Sequence, residues 1–129
     1  MSKKVEKSIQ HAFYLLYFGF VFLAVWAGVD KIFNISQTWQ RYLSPLLLQN
    51  VPLPPETILF IVGVIELIAG VTMLVSPRRG ALVMAFWLMC IIGNLATIGL
   101  PVLDIIIRDL VLFLAAVTFY KLSVIIALT

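Results

Sequence analysis

Four apolar stretches, at about residues 9–30, 56–75, 80–100 and 102–128, take up most of this 129-residue chain. A bilayer core needs about 20 mostly apolar residues per crossing helix, so each stretch is long enough to span one. In lipid every backbone polar group must be satisfied within its own segment, and stretches of this length therefore read as helices. The predicted fold is all-α: one polytopic membrane four-helix bundle over residues 1–129, with no second domain. Composition agrees, with 63% hydrophobic residues, 12% charged and a mean hydropathy of +1.12. A soluble domain is about half apolar and about a quarter charged.

The ends of the stretches are punctuated. Pro54-Pro55-Glu56 opens the second, where proline suits a first helical turn and an acid suits the dipole. Ser76-Pro77 stops the second, and Pro101 separates the third from the fourth. The first stretch follows lysines, as a secretory signal would. It is too long and too aromatic for one, and lacks a small-residue cleavage site, so a retained helix is expected.

Basic residues orient the bundle. Lys3, Lys4 and Lys7 precede the first helix, Arg78 and Arg79 lie between the second and third, and Lys121 lies near the end. All fall on one side if both termini are cytoplasmic, which predicts an N-in, C-in protein of a prokaryotic inner membrane. Residues 31–55 then form an outer loop. Within it Trp39, Tyr42, Leu43, Leu46 and Leu47 recur at helical spacing, with Gln37, Gln40, Arg41 and Ser44 on the other face. This pattern predicts one short amphipathic helix at the interface, a lid over the bundle.

Several chemistries are excluded. A lone cysteine, Cys90, forms no internal disulfide or C-x-x-C pair, and a lone histidine, His11, rules out bis-histidine haem ligation within the chain. No metal site is expected. A net charge of +3 is too small and too dispersed to indicate nucleic acid.

The informative residues are polar groups inside the apolar stretches, because intramembrane ionisable groups are costly and mark functional sites. Glu66 lies ten residues past Glu56, about 15 Å from that helix end at 1.5 Å per residue. Asp30 and Lys31 end the first helix, Asn94 and Thr97 lie in the third, and Asp104, Arg108 and Asp109 open the fourth. All belong to the outer half. Arg108 is the first-choice partner for Glu66, because an Arg–carboxylate pair can be bidentate and tolerates burial; Lys31 is the second. Asp104 precedes Arg108 by four residues, the favourable order for a helical ion pair, whereas Asp109 points about 100° away from it. Asn94, Thr97 and Cys90 read as helix-packing groups. Gly63, Glu66 and Gly70 share one helix face, and Ala24, Gly28 and Lys31 share another; such small-residue faces bring helices close.

These residues carry a resemblance. The run Phe22-Leu-Ala-Val-Trp-Ala-Gly28-Val-Asp-Lys31-Ile-Phe33, the run Gly63-Val-Ile-Glu66-Leu-Ile-Ala-Gly70-Val-Thr-Met-Leu74, Arg79-Gly80-Ala81 before the third helix and Arg108-Asp109-Leu110 in the fourth together resemble the DoxX-like family of small four-helix membrane proteins. The resemblance covers nearly the whole chain. Some relatives are subunits of quinone-reducing oxidoreductases, so the resemblance implies a subunit of a membrane redox complex linked to quinone. The chain itself carries no cofactor motif, so no intrinsic cofactor is expected and it is not expected to be an enzyme by itself. On that reading Glu66, Arg108, Lys31 and Asn94 contact a quinone-like amphiphile or relay protons, with Trp26, Phe22 and Phe60 as apolar walls. Partners are the lipid bilayer and other membrane subunits or a second copy. The alternative is a scaffold whose small-residue faces dock partner helices. A small transporter ranks last, because the chain has no clear inverted repeat or broken helix.

Overall fold

The computed structural model describes residues 2–128, with side chains to residue 127. Those residues form five α-helices and two short 3₁₀ turns, and no strand occurs among them. Four helices are long and apolar enough to cross a membrane: α1 (Lys3–Phe33), α3 (Pro55–Val75), α4 (Pro77–Ile98) and α5 (Leu103–Leu128). The short helix α2 (Pro45–Asn50) lies in the loop between α1 and α3.

The helix α1 starts six residues earlier than its apolar stretch. Ser2 caps it, its Oγ accepting from the Val5 N–H at 3.2 Å, so the polar lysine-rich start is helical too. At the other end Asn34 takes the left-handed conformation at φ 52° and donates its N–H to the Asp30 carbonyl. The expected link of basic residues between the second and third spans shrinks to Ser76, which ends α3 and starts α4. Pro77 fits the first turn of α4, so Arg78 and Arg79 are helical. A 3₁₀ turn at Leu100–Val102, entered through Gly99 at φ 91°, leads into α5.

The loop holds two helical pieces rather than one. A 3₁₀ turn at Trp39–Tyr42 ends at Leu43, Ser44 is extended, and α2 then begins at Pro45. Proline pushes the residue before it out of the helical region, which breaks the continuous helix that the spacing suggested. Ser44 uses the break, its Oγ capping α2 through the Leu46 N–H at 3.1 Å.

The long helices form a ring in the order α1, α3, α4, α5, with α5 back against α1. The small-residue faces meet as expected. A Cβ on Gly28 would lie 2.7 Å from the Gly63 carbonyl oxygen, and one on Gly63 would lie 2.8 Å from that of Gly28. At the end holding both termini, Phe13, Phe20, Met73, Ala81, Ala116 and Phe119 form a dense core. Phe119 anchors it, with ring centroids 5.2 Å from Phe13 and 6.0 Å from Phe20. At the loop end, Leu43, Ile58 and Leu59 form a smaller cluster with Trp39, Leu47, Val51 and Val62, which seats the loop on α3.

The outside of the bundle is apolar, with Leu15, Phe18, Val75 and Phe86 exposed, while Asp30, Glu66 and Asp109 are buried. A soluble protein has the reverse distribution. This is the arrangement of a multi-pass membrane protein.

Candidate functional site

The loop end of the bundle forms a partly open cavity of about 1090 Å³. Its walls are mainly apolar, from Leu23, Ala27, Ile58, Val62, Leu88 and Ile91 among others, and the loop residues Trp39, Tyr42, Leu43 and Leu47 contribute to its lining. Asp30, Lys31, Glu66, Asn94, Arg108 and Asp109 also line it. Cavities that hold small ligands share this pattern of apolar walls around a few fixed polar groups.

Glu66 is 5% exposed and pairs with Lys31, not with Arg108. Lys31 Nζ donates to Glu66 Oε1 at 2.9 Å and to Oε2 at 3.0 Å. The order of the ring explains the choice. Helix depth alone made Arg108 reachable, but α3 and α5 stand diagonally across the bundle, while α1 packs along α3. The helices run antiparallel with Gly28 against Gly63 and Leu67 and Ile32 against Gly63, so Lys31 stands about one turn nearer the loop than Glu66 and its long stem reaches back to the carboxylate. Trp87 Nε1 donates to Glu66 Oε1 at 3.3 Å, and the Lys31 ammonium lies 4.5 Å from the Trp39 ring centroid, a cation–π contact. Every charged atom of the pair thus has a partner, as burial requires.

Arg108 turns instead to its neighbour. Its Nε and Nη2 both donate to Asp109 Oδ1 at 3.3 Å, and its side chain is 60% exposed. The expected pair with Asp104 does not form; Asp104 is exposed and lies outside the cavity lining. Asp109, expected to face another element, takes Arg108 while being only 3% exposed. Its Oδ2 accepts no hydrogen bond among the described residues. Asp109 is also within electrostatic reach of Lys31 and Glu66.

The other polar residues build the roof. Asp30 Oδ1 accepts from the Ser36 N–H at 2.7 Å and Oδ2 from the Ser36 hydroxyl, which fixes the chain as it leaves α1. Asn94 spends both amide atoms on the loop: Oδ1 accepts from the Ser44 N–H at 2.9 Å, and Nδ2 donates to the Tyr42 carbonyl at 2.7 Å. Thr97 hydrogen-bonds the Ser44 hydroxyl. These groups satisfy the broken backbone between the 3₁₀ turn and α2, so Asn94 acts in packing. The Trp39 indole N–H is buried close to the Asp30 carboxylate, without a well-aligned hydrogen bond.

Of the expected walls, Trp26 lines the cavity, whereas Phe22 and Phe60 point outward, 70% and 54% exposed. Trp87 was not among the expected site residues. Its signal was present, since Trp87, Cys90 and Asn94 fall at i, i+3 and i+7 on one helix face. Ser36 had no comparable signal, because its role depends on how the chain turns at Asn34.

Chemically, the site can hold the polar head of an amphiphile by hydrogen bonds while its walls take the tail. No cluster of metal-ligating side chains occurs among the described residues. Comparison with family models, curated proteins and solved structures found no match.

Proposed function

We propose that this chain is a DoxX-like membrane subunit of a quinone-linked redox complex, and that the cavity holds a quinone-like amphiphile. The observation that carries this reading is the convergence of a cavity of about 1090 Å³ on the buried Lys31–Glu66 pair with Trp87. Such a pair is a costly way to join two helices that already meet at Gly28 and Gly63. Next to an amphiphile it supplies charge-assisted hydrogen bonds, and a carboxylate at that depth can exchange protons with a bound head group. In this reading the membrane is the inner membrane of a prokaryote, both termini are cytoplasmic, and the loop lies at the outer interface as a lid. The partners are other subunits or a second copy, bound through the exposed apolar helix faces.

The test is to isolate the protein from its membranes in a mild detergent, extract bound lipid for mass spectrometry, and titrate a decyl-benzoquinone in its oxidised and its reduced form. A stoichiometric quinone, lost in Glu66→Leu, is the expected outcome. No quinone in the extract together with no binding on titration overturns the ligand reading. Co-isolated redox subunits test the other part, and their absence after cross-linking in native membranes counts against it.

A scaffold is the second reading, and one observation favours it: every atom of the Lys31–Glu66 pair is satisfied by the protein itself. On that reading Glu66→Gln reduces recovery of a partner protein and leaves the cavity without a tenant.

A further inference from the structure

The pair at Glu66 is complete within the protein, but Asp109 is not. Its carboxylate is 3% exposed, lines the cavity, and among the described residues receives two long hydrogen bonds, at 3.3 Å, both on Oδ1. Both come from an arginine whose side chain is 60% exposed. A buried carboxylate accepts hydrogen bonds on both oxygens, and leaving one unserved is costly. Oδ2 is open to the cavity and not sealed in protein, so what fills the cavity, water or the polar head of a ligand, supplies its donor.

Charge and shape narrow the donor. Glu66 is balanced by Lys31 and Asp109 by Arg108, while Asp30 is held by Ser36 at the rim. An acidic head would set a third carboxylate against Glu66 and Asp109. A cationic head would compete with Lys31 and Arg108 for the same acids. A neutral donor avoids both. Trp26, Trp39, Tyr42 and Trp87 all line the cavity, which suits a flat aromatic head.

We propose that Asp109 is the recognition residue for a neutral, hydroxyl-bearing aromatic head, a phenol-type amphiphile whose O–H donates to Asp109 Oδ2. The inference rests on the amphiphile-binding reading above and names the head group. For a quinone couple it selects the reduced, hydroxyl-bearing form over the oxidised form, which has only acceptors.

A matched pair of redox-inert probes tests it. The intact protein in nanodiscs is titrated calorimetrically with 4-nonylphenol and with its methyl ether, against empty nanodiscs. A hydrogen bond to a charged group predicts that the phenol binds about tenfold or more tighter. Asp109→Asn should reduce that discrimination to about threefold or less, because the acceptor is no longer charged and the amide can itself donate to the ether. Equal binding of the two probes by the unmodified protein overturns the proposal while leaving the amphiphile site standing. Discrimination retained in Asp109→Asn overturns it as well. Tighter binding of a dodecylammonium probe than of the phenol identifies a cation site and overturns the neutral head. Failure of every probe to bind overturns this proposal together with the reading it rests on. Should Asp109→Asn not fold, Asp109→Ala takes its place, and discrimination retained there overturns the proposal.

Discussion

The two ends of this bundle are built from different materials. Around the termini the helices close on a dry core of Phe13, Phe20, Met73, Ala81, Ala116 and Phe119. At the loop end the same helices hold Asp30, Glu66 and Asp109 buried around a cavity. Lipid removes the usual drive to bury apolar groups, so the dry end is held by close packing, and polar contacts tie the other end. The contrast separates what keeps the helices together from what the helices hold. It also gives variants at each end distinct signatures.

The largest loss of stability is expected at the dry end. Phe119→Ala removes a fully buried ring that contacts Phe13, Tyr17 and Phe20. Such truncations cost about 3–5 kcal/mol in water-soluble cores, and about 3 kcal/mol is expected here because lipid is the alternative environment for the ring. Denaturant titration in mixed micelles measures it. Ligand affinity of the folded fraction should not change, and a change in affinity would merge the two ends into one unit.

Next comes the ion pair. Glu66→Leu leaves the Lys31 ammonium without its counter-ion. Lys31 lies near the helix end and can turn its head outward, so the loss should be about 2 kcal/mol, below the 3–5 kcal/mol of a trapped charge. The double variant Lys31→Met with Glu66→Leu should recover most of that stability, since an apolar pair can replace an ionic one. Ligand binding should stay lost. Stability restored without binding marks the pair as part of the site, whereas both restored together mark it as a helix tie.

These expectations also show which parts were legible in the sequence. Four spans were readable because apolar length alone decides them, and the Gly28 and Gly63 faces were readable from their spacing. The partner of Glu66 was not. Helix depth ranks Arg108 and Lys31 together, and only the ring order, with α5 diagonal to α3, separates them. The broken loop helix was readable in Pro45, whose effect on Ser44 outweighs the apolar spacing of Trp39 to Leu47. The cavity was not readable. Its lining draws on all four long helices and the loop, so it depends on how they assemble and not on the spacing within any one segment.

A smaller effect belongs to the roof. Asn94→Ala removes two hydrogen bonds that seat the loop at Tyr42 and Ser44. About 1–2 kcal/mol is expected, because the Ser44 N–H and Tyr42 carbonyl can reach water once the loop lifts. Hydrogen exchange should locate the change at residues 39–50 and leave α1 and α5 protected. Protection lost throughout would mean that the roof and the dry core unfold as one.

Arg108→Gln should have the smallest effect on stability and the most selective effect on the site. The arginine is mostly exposed and its contacts are long, but Asp109 is buried, so removing the cation should cost about 1 kcal/mol, the low end for an unserved buried acceptor. Unfolding should shift by no more than that. The change takes away the one hydrogen-bond donor that Asp109 has among the described residues and leaves both oxygens open to the cavity. A hydroxyl-bearing ligand should then bind at least as tightly as before, while an acidic one is repelled more strongly. The same calorimetric titration reads both. If Arg108→Gln abolished binding of the phenol, the arginine rather than the aspartate would be the group that meets the ligand. The loop end would then recognise an acceptor, and Asp109 would serve only to hold the arginine in place.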